Sequence, residues 1–407
     1  MKPASKFVQL VTTLCLSLFG TALLHAQEKT DTQSSKPLDT SFRPIDAAAV
    51  PAEELSSVLQ SLADNMRKNV RSAGSAVLKY EFYEEFHFPL GWLEPGQVPT
   101  PQNQGDGHWQ IYGGEVTLEV ADAGKKQHIH YVPTRPWKKR HEKTGEERNA
   151  GRLGESHHWI ITPDEFLNFD EKSKLGKLSE FPLDKQTESR IVERTHGRGW
   201  KYLGRVISFG SLFGGQRGDM WWDLCERDSS STKGDTESAK VSRRVISITK
   251  ETDADGHTRF IETKTYSEAT LAPKWRADRV PSSTTTTYDS RFGFNPTRYV
   301  RNWGSKRSDG KIDRFKTEHQ LTYAREGKSF IPAKVVAVEH ETKPPEKPRR
   351  RRMRILTLVE ASLSTKIAPE RFTVHSLGLV KGDRMHDKLR QMLFIADGNG
   401  GLVEASR

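Results

Sequence analysis

The first chemical candidates in this 407-residue sequence are among its 14 histidines. His128-Ile129-His130 has the spacing that, on a strand, turns both imidazoles to one side, and His157-His158 follows downstream. Paired imidazoles do ligate transition metals. Two ligands do not make a site, however, and a chain this rich in histidine produces such pairs by chance. They read as solvent-facing strand histidines, so no metal and no cofactor is predicted. Asp253-Ala254-Asp255-Gly256 opens like a calcium loop but lacks the later ligands and the closing bidentate Glu. An Asp/Gly hairpin turn accounts for it. Cys225 follows Trp221-Trp222-Asp223-Leu224, and a thiol among apolar neighbours reads as a structural one rather than a nucleophile.

Other catalytic signatures are missing. No Gly-x-Ser-x-Gly elbow occurs, Gly210-Ser211 to Gly214 having the wrong spacing. There is no His-Glu-x-x-His, no phosphate-cradling Walker loop and no Gly-rich dinucleotide turn. Acidic pairs such as Glu84-Glu85, or Asp219 with Asp223, could hydrolyse glycosides only at the right separation. The chain therefore reads as a non-enzymatic binding protein, with a secreted hydrolase using carboxylates as the last alternative.

Two further patterns could bind rather than react. Lys343-Pro344-Pro345-Glu346-Lys347-Pro348 leads into Arg349, Arg350, Arg351 and Arg352, which reads as a stiff basic hairpin tip between strands 330–340 and 353–362. The run from Pro348 to Arg354 could hold an anionic envelope polymer or lipid headgroup by releasing counter-ions, or simply guard a sheet edge against aggregation. The second pattern is aromatic. Phe209, Phe213, Trp221 and Trp222 form an apolar patch interrupted by four glycines between 210 and 218, which reads as a broken helix serving as a mobile lid over an apolar cavity.

The elements that would carry these groups begin with an export signal. Lys2 and Lys6 precede an apolar stretch from Phe7 to Leu24 that ends in small residues, so cleavage is expected near Ala26, giving a periplasmic or secreted protein with no transmembrane segment afterwards. Processing removes only those two lysines from a formal charge of +11, and the mature surface stays basic. Export leaves nucleic acid out as a partner. Residues 27–50 read as a flexible leader. From Pro51, Leu55, Val58, Leu59, Leu62, Met66 and Val70 fall on one helical face, and Gly74 can end the helix. Ala76 to Phe88 reads as a long strand. Strands are then expected at 108–120, 127–132, 159–161, 186–193, 241–251, 259–266, 284–288, 316–324, 330–340 and 353–362, the hairpin across Asp253–Gly256 being the clearest. Thr162-Pro163-Asp164-Glu165 has capping-box spacing, predicting a short helix through Phe166, Leu167 and Phe169.

An N-terminal amphipathic helix, an immediate long strand and serial hairpins, with Tyr266 closing a hairpin arm, the segment Ser329-Phe330-Ile331-Pro332-Ala333-Lys334-Val335 and the segment Ile367-Ala368-Pro369-Glu370-Arg371-Phe372-Thr373-Val374, resemble the LolA/LolB-type lipoprotein-carrier superfamily. The resemblance covers about residues 51–380, leaving 381–407 as a C-terminal tail or hairpin. It implies a β-dominated α+β fold: a strongly curved antiparallel half barrel, with the N-terminal helix and one or two short helices on its concave face. The expected partner is a lipid, acyl chain or other apolar ligand in that concavity, beneath the Phe209–Trp222 lid. A secreted polyanion-binding or envelope-scaffold protein is the alternative.

Overall fold

The computed structural model describes residues 42–93, 100, 105–122, 126–153, 156–162, 165–170, 175–180, 244–266, 279–343, 347–387, 392–399 and 401–405. The elements in chain order begin with β1 (Pro44–Ala49), α1 (Leu55–Ala73), β2 (Ala76–Trp92), β3 (Asp106–Ala121), β4 (Lys126–Pro133), β5 (Pro136–His141) and β6 (Glu147–Leu153). Then come β7 (His157–Ile161), β8 (Glu165–Asp170), β9 (Leu175–Glu180), β10 (Arg244–Asp253), β11 (Thr258–Tyr266), β12 (Arg279–Asp289) and β13 (Asn295–Lys306). The last are β14 (Ile312–Glu326), β15 (Ser329–Thr342), β16 (Arg349–Leu363), β17 (Arg384–Asp387), β18 (Met392–Ala396) and β19 (Leu402–Glu404). Short 3-10 turns occupy Ser290–Phe292, Pro369–Phe372 and Val374–Leu377.

The strands hydrogen-bond into one sheet. Consecutive antiparallel pairs run from β10 to β16, with β1 flanking β10. β16 then pairs with β2, and the ladder continues through β3, β4, β7, β8 and β9. β17 joins β9 in a parallel pair, and β18 and β19 follow it. The β5–β6 hairpin extends the sheet from the far half of β3. Among the described residues β1 and β19 do not meet, so the sheet is open rather than closed into a barrel.

Two apolar clusters cover its faces. On one, Leu62, Met66 and Ala73 of α1 pack with Leu78, Tyr80, Phe82, Val116, Leu118, Ile129, Tyr131, Leu321, Tyr323, Ile331, Val335 and Leu356. On the other, Ile160, Leu167 and Phe169 meet Phe372, Leu377 and Met385 from the C-terminal segment. Strands buried on both faces need no polar alternation, and all five residues of β7 are buried. The α1 helix forms where periodicity placed it, after a turn at 52–54 and before Gly74 at φ +63°.

Several expectations are corrected. The capping box at Thr162 does not start a helix: Glu165–Asp170 is β8, paired antiparallel with β7. Leu167 and Phe169 are both buried, a period of two that the waiting edge of β7 rewards more than one capping bond would. Within the segment read as a leader, Pro44–Ala49 adds a strand to β10, and Phe42 lies 4.0 Å beneath the Arg259 guanidinium. Arg349 to Arg352 are not a tip but the first residues of β16. β5, β6, β9 and β13 were not anticipated, and 381–407, read as a tail or hairpin, contains the antiparallel pair β17–β18 followed by β19. The hairpin at Asp253 forms as expected, Asp253 Oδ1 accepting from the backbone N–H groups of Asp255 and His257. The strand expected at 186–193, the lid residues Phe209, Phe213, Trp221 and Trp222, and Cys225 lie outside the described residues.

Candidate functional site: an ionic floor beside the apolar face

Strand register sorts the α1 face of the sheet into rows of side chains lying across it, because directly opposed residues share a face. Beneath α1 one row contains Phe82, opposite Leu356, which is opposite Val335 and then Leu321. The next row away from α1 is Tyr112, Glu84, Arg354, Ala337, His319 and Tyr299. The one beyond is Gln110, Phe86, Arg352, Glu339, Thr317 and Arg301. On β2 and β16 the same face passes within one residue pair from Phe82 and Leu356 to Glu84 and Arg354.

The ions are buried. Glu84 is 7%, Arg352 8% and Arg354 5% exposed. Arg354 Nε donates to Glu84 Oε1 at 2.9 Å and Arg352 Nε lies 3.1 Å from the same oxygen. Both guanidiniums also reach Glu339 Oε1, through Nη1, at 3.6 and 3.8 Å. Phe86 stacks under Arg352 at 4.3 Å. His319, in the same row, has its pKa lowered to about 4, first by burial and then by the Arg354 charge, against a smaller upward pull from Glu339. It is neutral at ordinary pH. Burial of paired ions gains little over well-packed apolar residues. Stability alone therefore does not account for a four-ion cluster adjoining the apolar rows.

A bulge in β16 explains where the other arginines go. Arg352 pairs with Glu339 while Arg350 pairs with His340, leaving Arg351 as the extra residue. Arg350 is thereby shifted to the opposite face, where its Nη2 is 2.6 Å from Glu85 and its guanidinium lies 4.7 Å over Trp109. Arg140 Nη2 shares that carboxylate at 2.7 Å. Arg349 lies 3.5 Å from Glu341. The four residues expected to form one basic patch are thus divided between two faces.

The histidine pairs also find places. His128 Nδ1 is 2.9 Å from Glu119, which Arg371 clamps at 2.9 Å. His128 Nε2 is 3.1 Å from His158 Nδ1, and His130 stacks on His158 with centroids 4.0 Å apart. Their expected solvent exposure is wrong for His128 and His158, which are buried against the face that the C-terminal segment covers. Asp253, Asp255 and His257 bring ligand atoms together, but Asp253 Oδ1 already accepts two turn N–H groups.

Of the ionic floor, the sequence reading touched Glu84, Arg352 and Arg354, the arginines as part of one basic run, and missed Glu339 and His319. A signal was present: Leu78, Tyr80 and Phe82 alternate into Glu84, and Leu358 and Leu356 into Arg354 and Arg352, so charges occupy the apolar parity of two strands that prove to be neighbours.

No family model matches the sequence, and no curated protein matches it. Among solved structures, a chain described under "Asymmetric conductivity of engineered proteins" is 8% identical, with 70% of this chain and 99% of that one covered and a TM-score of 0.18. A double mutant of the Rh. blastica porin is 9% identical over 70% and 99% of the two chains, also at a TM-score of 0.18. Superpositions this poor carry no argument about fold or function.

Proposed function

We propose that this chain is an exported, non-enzymatic carrier-like protein that holds an apolar or amphiphilic ligand against the α1 face of its sheet. The sheet would curl around that ligand as the half barrel of a LolA/LolB-type carrier does. The observation carrying this reading is the passage, along a single face, from the apolar rows under α1 to the ionic rows beyond them. An acyl chain gains about 0.8 kcal/mol for each methylene it buries, so apolar rows alone can retain it without catalytic groups.

The cover is also of a kind that can move. α1 is held by apolar contacts and by Asn69 and Ser72, which reach Phe330 and Ser329. It ends at Gly74, around which a side chain would meet nothing within 4 Å.

Native mass spectrometry of protein isolated from its own envelope is the test. A stoichiometric lipid or other apolar molecule is expected. Protein that emerges ligand-free, and that takes up no fluorescent acyl probe, would end the carrier reading. The polyanion alternative has less behind it, since the bulge at Arg351 turns Arg350 to the other face and divides the four arginines instead of gathering them into one patch.

A further inference from the structure

We propose that Arg352 and Arg354 form the head-group site for an anionic ligand, a carboxylate or phosphate, and that Glu339 occupies this site as an internal stand-in until the ligand displaces it. This rests on the carrier reading for the ligand's tail, but the arginine pair stands on its own geometry.

The two carboxylates of the cluster are held differently. Glu84 Oε1 accepts a hydrogen bond from Arg354 Nε at 2.9 Å and lies 3.1 Å from Arg352 Nε as an ion pair. Glu339 Oε1 lies between the two Nη1 groups at 3.6 and 3.8 Å, beyond hydrogen-bonding range but well within Coulombic attraction. One carboxylate is seated, and the other only hovers.

Their exposure differs in the same sense. The Glu84 side chain is 10% exposed, and that of Glu339 is 28% exposed. Glu339 can therefore rotate its charge into water at small cost, whereas Glu84 cannot. With Glu339 withdrawn, the two guanidiniums would offer converging Nη1 groups to one oxygen atom, with Glu84 behind them neutralising one of the two charges. The position left open is cationic, and planar guanidiniums are suited to a carboxylate or phosphate oxygen.

The position completes the argument. Arg354 is opposite Glu84 in the row adjoining Phe82 and Leu356, so an alkyl chain lying over the apolar rows would bring its head to the arginines. The exchange also preserves charge: a monoanionic head replaces the Glu339 carboxylate on the same two cations. An uncharged alcohol of equal chain length has no means of displacing Glu339.

Displacement of a fluorescent acyl probe from the full mature chain by decanoate, decyl phosphate, 1-decanol and inorganic phosphate tests this. Decanoate or decyl phosphate is expected to bind about tenfold or more tighter than decanol, the scale of a charge-assisted hydrogen bond. Arg354→Gln should erase the preference. Glu339→Gln, which leaves the fold's seated pair intact, should increase it by removing the competitor. Whichever of decanoate and decyl phosphate binds better identifies the head chemistry. Inorganic phosphate protecting the site alone, in an arginine-dependent way, would retain the anion site while removing the carrier reading. Equal binding of decanoate and decanol, or no gain in Glu339→Gln, would overturn the head-group assignment while leaving the carrier reading standing. Binding of none of the four would remove both.

Discussion

Asn69 hydrogen-bonds in both directions with the backbone of Phe330: its Nδ2 donates to the carbonyl at 3.0 Å and its Oδ1 accepts from the N–H at 2.7 Å. A buried side-chain amide thereby acts as a one-residue strand and fixes α1 to the start of β15. Ser72 adds a hydroxyl contact with Ser329 at 2.8 Å, and Tyr80 Oη donates to the Pro332 carbonyl. The segment Ser329–Val335, quoted above for its resemblance to carriers, is the dock of the helix in this chain. Asn69→Ala strands both Phe330 groups and is expected to cost about 1–3 kcal/mol. Hydrogen exchange of the α1 amides should accelerate in the variant, with β2 little affected. Unchanged α1 protection would mean that the helix is held by its apolar face alone.

Gly114 tests the packing of the same face. A Cβ there would lie 2.4 Å from the Val132 carbonyl oxygen and 2.5 Å from the Tyr131 ring, whereas at neighbouring Gly113 the nearest atom would be 3.5 Å away. Tyr131 is fully buried, with Phe82 edge-on at 5.9 Å, and neither it nor the ladder can retreat. Gly114→Ala is expected to lose about 1–3 kcal/mol by overpacking, while Gly113→Ala should be neutral or slightly stabilising because alanine suits a strand interior better than glycine. Urea unfolding of the matched pair gives the comparison. Equal midpoints would show that this part of the sheet yields.

Local periodicity carried the α1 face and the Asp253–Gly256 hairpin into view because each is encoded within a few residues of itself. The ionic floor was not legible in that way. Glu84 and Arg354 are 270 residues apart and meet only because β16, rather than a sequence neighbour, flanks β2. The parity of Arg350 was hidden for a different reason: the bulge at Arg351 reverses it, and nothing in a run of four arginines marks which residue is extra. Thr162–Glu165 misled because a four-residue capping signature outranked a period-two pattern that needed β7 beside it to matter.

Acid should weaken the fold in two successive, overlapping windows. His319 and His108 both have pKa values lowered to about 4 from 6.5, chiefly by burial, with Arg354 adding to the effect at His319 and Lys139 at His108. The unfolded chain therefore binds protons that the folded one refuses, and the stability held above pH 6.5 is lost as the pH falls toward 4. At Glu318 burial pulls upward, but hydrogen bonds from Lys316, Arg298 and Gln320 outweigh it and lower the pKa to about 2 from 4.5. Its contribution is lost between those two values, a range that overlaps the foot of the histidine window and extends below it. Urea midpoints measured across this range should fall in both, and His319→Phe should flatten the upper window only. An unaltered upper slope in that variant would place the acid sensitivity elsewhere.

Glu84 and Glu339 share the same two arginines, yet their removal should have unequal consequences. Glu84→Gln removes the carboxylate charge in closest contact with both buried guanidiniums, and breaking a buried pair in this way costs about 3–5 kcal/mol. Glu339→Gln removes a partner that is 3.6 and 3.8 Å from the cations and partly exposed, where ion pairs are worth about 0–1 kcal/mol. Thermal unfolding should therefore separate the two isosteric changes clearly. Pairing Glu84→Leu with Arg354→Leu should recover much of the loss, since apolar replacement of a buried pair is often neutral or better, while giving up any preference for an anionic ligand. Equal destabilisation by Glu84→Gln and Glu339→Gln would show that Glu339 is as firmly seated as Glu84, and would leave no loose carboxylate for a ligand to displace.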